Sequence, residues 1–147
     1  MQNLIYLSSA SYLFSEHDLL DILNKSRSNN TALNVTGLLL YCDGSILQIL
    51  EGEQNVLDTL YKKIGRDQRH RSLIKMVDCS IGERSFSDWS MGFKQISIED
   101  WAEVTGYLNV DKNESYGLTA TANSHVITMI KSFENVNMLN KRSFTLR

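Results

Sequence analysis

The chain has 147 residues, a formal net charge of −2, 42% hydrophobic and 22% charged residues, and no proline. That is the size of one domain with one core and the composition of an ordinary globular protein. Acids and bases are interspersed, with no basic stripe to suit nucleic acid or a membrane surface and no apolar run near the length of a membrane span, so a cytoplasmic protein is expected.

Met1 to Ser8 lacks a basic region followed by a long apolar one and reads as a strand, not a signal peptide. The first strand proper is Asn3 to Ser8. Ser15 ahead of Glu16, His17 and Asp18 is a capping-box-like start. Leu19, Leu20, Ile22, Leu23 and Ser26 follow at helical spacing, and this helix is expected to end near Asn29 and Asn30. Val35 to Cys42 and Ser45 to Glu51 form a hairpin through Asp43-Gly44, a type I′ turn pair. Val56, Leu57, Leu60, Tyr61 and Ile64 mark a second helix over Gln54 to Asp67. Ser72 to Ile81 and Trp89 to Ile96 read as two further strands. Beyond them, Trp101, Val104 and Leu108 lie on a helix over about 98–108. After a polar linker, Val126, Met129, Ile130, Phe133 and Val136 mark a last helix over about 121–139.

The order β-α-β-β-α-β-β predicts an α+β fold, a ferredoxin-like βαββαβ(β) sheet with two helices on one face. Residues 1–96 form the domain and 97–147 a helical extension. Side chains alternate across a sheet. Leu4, Tyr6 and Ser8 therefore oppose Ile5 and Leu7, and Ile46, Gln48 and Leu50 oppose Leu47 and Ile49. Both faces are apolar, so both must be covered. The C-terminal helices are expected on the second face, in this chain or across a dimer. Cys42 and Cys79 lie in apolar segments and lack metal-ligand spacing with His17, His70 or His125. Both are expected as small core residues, with no metal site.

Three polar features stand out. Gln48 interrupts the apolar run Ile46-Leu47-Gln48-Ile49-Leu50, and a buried amide needs partners, structural or otherwise. Tyr6 has a hydroxyl to satisfy in the first strand. Ile22, Ser26 and Asn30 share one helix stripe, a set that suits a planar heteroaromatic with carbonyls at one edge but also an ordinary amphipathic helix. Lys63, Arg66, Arg69 and His70 gather at the end of the second helix, where cations favour the helix dipole or meet phosphates.

Together these residues resemble the BLUF family, the sensors of blue light using FAD, of the short stand-alone type. The matching stretches are Leu4-Ile5-Tyr6-Leu7-Ser8, Asn29-Asn30, Val35-Thr36-Gly37-Leu38-Leu39, Leu47-Gln48-Ile49-Leu50-Glu51-Gly52-Glu53, Asp67-Gln68-Arg69-His70 and Phe86-Ser87-Asp88-Trp89-Ser90-Met91. The resemblance implies a photoreceptor that binds FAD non-covalently, with FMN as the alternative. It places Tyr6 and Gln48 beside the flavin ring as the photochemical switch. Asn30 and Ser26 fall at the ring's pyrimidine edge, Ile22 and Leu23 against the ring, and Lys63, Arg69 and His70 at the ring or the ribityl-phosphate portion. It implies light-driven electron and proton transfer from Tyr6 through Gln48, a rearranged hydrogen-bond pattern at the flavin, and signalling through Trp89, Met91 and the C-terminal helices. The partner would be a second copy, as a dimer or larger ring, or an unidentified downstream protein; neither nucleic acid nor membrane is implied. No nucleophile–base pair of recognisable spacing is present, so a sensor is expected and not an enzyme. The alternatives are a flavin-free ferredoxin-like interaction module and the sensor fragment of a larger light-regulated enzyme.

Overall fold

The computed structural model describes residues 1–86, 91–95 and 123–145. Within them the order is β1 (Gln2–Ala10), α1 (Glu16–Ala32), β2 (Thr36–Cys42), β3 (Ser45–Gly52), α2 (Gln54–Gly65), β4 (His70–Ser80), β5 (Gly92–Gln95) and α3 (Ser124–Thr145). The sheet runs β4-β1-β3-β2-β5, antiparallel throughout except for the parallel pair β2 and β5. This is the ferredoxin-like α+β arrangement that the element order predicts. Trp89 and the expected helix over 98–108 lie outside the described residues.

Local chemistry explains the boundaries. Ser15 caps α1 by accepting from the Asp18 N–H at 3.2 Å, while Asp18 accepts from the Ser15 N–H at 2.9 Å. The helix runs past Asn29 and Asn30 to Ala32, because the chain reverses only at Asn34. That residue adopts φ 54°, a left-handed conformation that Asn tolerates. Asp43 and Gly44 both have positive φ, 43° and 93°, as a type I′ turn requires. β4 starts at His70 rather than Ser72 because His70 and Arg71 still pair with Ala10 and Ser9. Ser72 itself sits at φ 57°, where the register with β1 shifts.

The alternation read from the strands separates two cores. Leu4, Tyr6, Leu39, Tyr41, Ile46 and Leu50 face α1 and α2, against Leu19, Leu23, Leu57 and Leu60. Ile5, Leu38, Leu40, Leu47 and Ile49 face the other way, against Phe86 and against Val126, Ile130 and Phe133 of α3. A C-terminal helix of the same chain thus covers the second face. Cys42 is buried in that second core. Cys79 departs from the expectation of a core residue: it is half-buried, with Sγ 3.8 Å from His125 Nε2, because β4 is an edge strand with one neighbour only.

A buried carboxylate ties the second face together. Glu51 is fully buried and accepts from the Ser85 and Phe86 N–H groups at 2.5 and 2.8 Å and from Thr36 Oγ1 at 3.2 Å. Burial raises its pKa, and those three donors oppose the rise. Ser85 Oγ in turn accepts from both the backbone N–H and Nδ2 of Asn123, each at 3.1 Å, just ahead of α3.

Gly37 is required by close approach. A Cβ there would lie 2.0 Å from the Ile49 carbonyl oxygen, a backbone atom that cannot yield without parting β2 from β3. Gly37→Ala is expected to cost on the order of 3 kcal/mol or more in urea-induced unfolding, or to prevent folding. An unchanged midpoint would show that the hairpin can open there.

Candidate functional site

The register of β1 on β3 sets Tyr6 directly opposite Gln48, and opposed residues of an antiparallel pair project side by side on one face. The Tyr6 hydroxyl donates to Gln48 Oε1. Gln48 Nε2 donates to Met91 Sδ at 3.9 Å. A thioether is a weak acceptor, and among the described residues Gln48 Nε2 has no oxygen partner. This amide is 7% exposed, so its nitrogen carries unspent donor capacity in a nearly buried position.

Tyr6 is held on every side. Its ring meets Tyr61 edge-on at 5.5 Å and His70 at 6.3 Å. Burial, reinforced by Tyr61 and then Asp67, pushes the phenol pKa far above its ordinary value. The hydroxyl therefore keeps its proton and stays a donor to Gln48. His70 Nε2 lies 2.7 Å from the Ile64 carbonyl oxygen and Nδ1 2.9 Å from Ser8 Oγ. A carbonyl only accepts, so the proton belongs on Nε2 and Nδ1 faces the Ser8 hydroxyl.

Tyr6 and Gln48 form part of the wall of a cavity of about 430 Å³ between the sheet and helices α1 and α2. Ile22, Ser26, Asn30, Lys63, Arg69 and His70, all expected from the sequence, line the same cavity. Leu23 does not. It is fully buried in the core behind the wall, because it stands one helical step round from Ile22. The structure adds Phe14, Lys25, Leu39, Tyr41 and Ile46. Tyr41 accepts from the Phe14 N–H at 2.9 Å and stacks on its ring at 5.3 Å. The period of two from Leu39 would have placed Tyr41 on this face; nothing in the sequence would have brought Phe14 to it.

The cations at the rim of the cavity differ in their partners. Arg69 is not an open cation: its Nε and Nη2 bind the Asp67 carboxylate at 3.0 and 2.6 Å, and Nη1 lies 3.5 Å from Asp21. Asp21 also pairs with Lys25 at 3.1 Å. The hydrogen bond from Arg69 is the main reason that the Asp67 pKa is lowered. Lys63 and Arg66 stand exposed at the cavity mouth.

The residues present fit a flavin ring. Ile22, Leu39, Ile46 and Leu60 supply apolar walls, and the volume falls in the usual range for small-ligand pockets. The unspent Gln48 donor and the buried Asn30 amide supply polar contacts suited to a heteroaromatic edge with carbonyls. Among the described residues, no group of His, Cys, Asp and Glu could hold a metal ion, and no helix is long and apolar enough to cross a membrane.

Comparison with known proteins agrees with that fit. Residues 1–92 match the family model "BLUF: Sensors of blue-light using FAD". A photoactivated adenylate cyclase subunit beta of Euglena longa is 34% identical over 92 residues, covering 62% of this chain. The chain spans only 11% of that relative's length. The BLUF protein BlrB in its dark state superposes with TM-score 0.62 at 32% identity, over 64% of this chain and 71% of that one. A bacterial light-regulated adenylyl cyclase superposes with TM-score 0.64 at 32% identity, over 99% of this chain and 35% of that one.

The Asp67–Arg69 pair sets an acid dependence. Because the folded-state pKa of Asp67 is lowered, the stability it contributes is present above the unfolded value of about 3.9 and is lost as pH falls through the folded value. Urea midpoints measured at pH 7 and pH 3 are expected to differ less in Asp67→Asn than in the wild type. An equal difference would show that the pair does not contribute.

Proposed function

The chain belongs to the BLUF family and is a flavin-binding blue-light sensor domain, and from that premise we propose that its switch is the Tyr6–Gln48 pair and its output α3. The observation that carries this reading is the Gln48 amide, bound by Tyr6 through Oε1 and by only a thioether through Nε2, on the wall of the cavity. Ile22, Leu39 and Leu60 would pack on the cofactor, Gln48 and Asn30 would bond its polar edge, and Lys63 and Arg66 would face its phosphates. FAD is the cofactor proposed. When bound, it supplies blue absorption and one-electron redox chemistry.

Tyr6 holds its proton on a hydrogen bond aimed at Gln48 Oε1. Oxidation of a phenol makes it a strong acid, so the proton of an oxidised Tyr6 has Oε1 as its ready acceptor. Gln48 can then settle in another arrangement, by rotation or by tautomerisation. An amide offers donors and an acceptor on one short arm, so several arrangements lie close in energy. Met91 Sδ, the present partner of Nε2, would feel the change and is joined directly to β5. β5 pairs with β2, whose Leu38 and Leu40 pack in the same core as α3.

The proposal is therefore a regulatory domain, read by a second copy or by a downstream protein, and not itself a catalyst. A second reading, the sensor portion of a larger light-regulated cyclase, is favoured by the match of nearly the whole chain, α3 included, to part of such an enzyme.

Tyr6→Phe is expected to retain flavin and to lose the light-induced red shift of the visible spectrum. It should also lower stability by about 1–3 kcal/mol, since Gln48 Oε1 loses its donor. Gln48→Leu should retain flavin and lose the shift as well. A normal reversible shift in Tyr6→Phe would refute the mechanism, and a colourless wild-type protein would refute the sensor reading itself.

A further inference from the structure

Met91 has a second partner that the switch does not account for. Its backbone carbonyl accepts a hydrogen bond from Arg27 Nε at 3.0 Å, across 64 residues of sequence. Arg27 is half-buried on α1, one residue beyond Ser26 and three before Asn30, both of which line the cavity. Burial lowers its pKa, yet a guanidinium stays charged at any ordinary pH, so the bond is charge-assisted. Met91 is 2% exposed and immediately precedes β5, where β5 pairs with β2 only from Gly92 onward. The strand ladder therefore begins one residue after the side chain that Gln48 contacts. Arg27 supplies the contact from α1 at that point.

We propose that Arg27 is a positioning residue for the switch: by clamping the Met91 carbonyl to α1, it holds the Met91 thioether against Gln48 Nε2. This deepens, and rests on, the reading of Tyr6 and Gln48 as the switch. The role requires Arg27 to act through Met91 and not through flavin. Loss of the clamp lets Met91 shift relative to Gln48, while the cavity wall residues stay in place. The Nε–H of a planar guanidinium suits a backbone carbonyl at 3.0 Å, which the flexible ammonium of a lysine would meet less firmly.

The test has one readout without flavin and one with it. In the flavin-free protein carrying ¹³C-methyl methionine, the Met91 resonance (identified by its loss in Met91→Leu) is expected to move or broaden in Arg27→Gln, and the Met129 resonance to stay. In the flavin-loaded protein, Arg27→Gln is expected to change the dark-recovery rate about threefold or more, in keeping with loss of a charge-assisted bond. Arg27→Gln added to Met91→Leu should leave the Met91→Leu rate unchanged. Arg27→Lys, the milder variant, should give a smaller change of the same sign. An unmoved Met91 resonance, or a full effect of Arg27→Gln in the Met91→Leu background, would overturn the clamp. Absence of any light response in the wild type would instead overturn the switch reading, and the methyl spectra of the flavin-free protein would still decide the clamp.

Discussion

Everything at the site depends on one register. β1 and β3 pair so that Tyr6 faces Gln48, and the period of two puts both on the face covered by α1 and α2. A slip of β3 by one residue would turn the amide toward the α3 core, among Ile5, Leu38, Leu40 and Phe86, and would turn Leu47 and Ile49 out of it. An unmet buried amide costs about 1–3 kcal/mol per group, enough to make the observed register strongly preferred. The polar pair therefore helps to specify the sheet that carries it. The specification stays incomplete at one atom, Gln48 Nε2, where sulfur stands in place of oxygen. That shortfall is the reason Gln48 is the residue proposed as the switch.

β3 serves both faces. Gln48 projects into the cavity, and three residues later Glu51 projects the opposite way, into a network that reaches α3 through Ser85 and Asn123. The carboxylate is buried, but two backbone N–H groups and the Thr36 hydroxyl share its charge. Arg84 binds the Glu51 carbonyl at 3.1 Å and Thr36 Oγ1 at 2.7 Å, so the loop after β4 is drawn to the end of the same hairpin. A fully satisfied buried network of this kind holds a single arrangement. The cavity face thus keeps a loosely satisfied amide while the α3 face is tightly bonded.

The rim of the cavity shows a similar economy of charge. Arg69 with Asp67, and Lys25 with Asp21, are paired within the protein. These partly exposed pairs contribute little to stability. Their effect is local: the charges of Arg69 and Lys25 are met by carboxylates of the protein itself, while Lys63 and Arg66 stand exposed at the cavity mouth.

The sequence alone determined the features that short-range rules govern. Alternation set Tyr6 against Ile5 within the first strand and Gln48 against Leu47 and Ile49 within the third, and the observed register then brought Tyr6 and Gln48 together. Ser15 with Asp18 marked a helix start, and Asp43-Gly44 marked the hairpin. The motifs around Gly37, Gln48 and Asp67 pointed to the family. These are readable because caps, turns and strand faces depend on residues a few positions apart. The tertiary structure decided everything that needed two distant elements at once. It turned Arg69 onto Asp67, left Leu23 behind the wall, brought Phe14 onto Tyr41, and left Cys79 half-buried by placing β4 at the sheet edge. It also put Arg27 against the carbonyl of Met91. Partners of that kind are chosen by how helices settle on a sheet, and the angle and depth of that packing are set by the whole core and not by any local pattern.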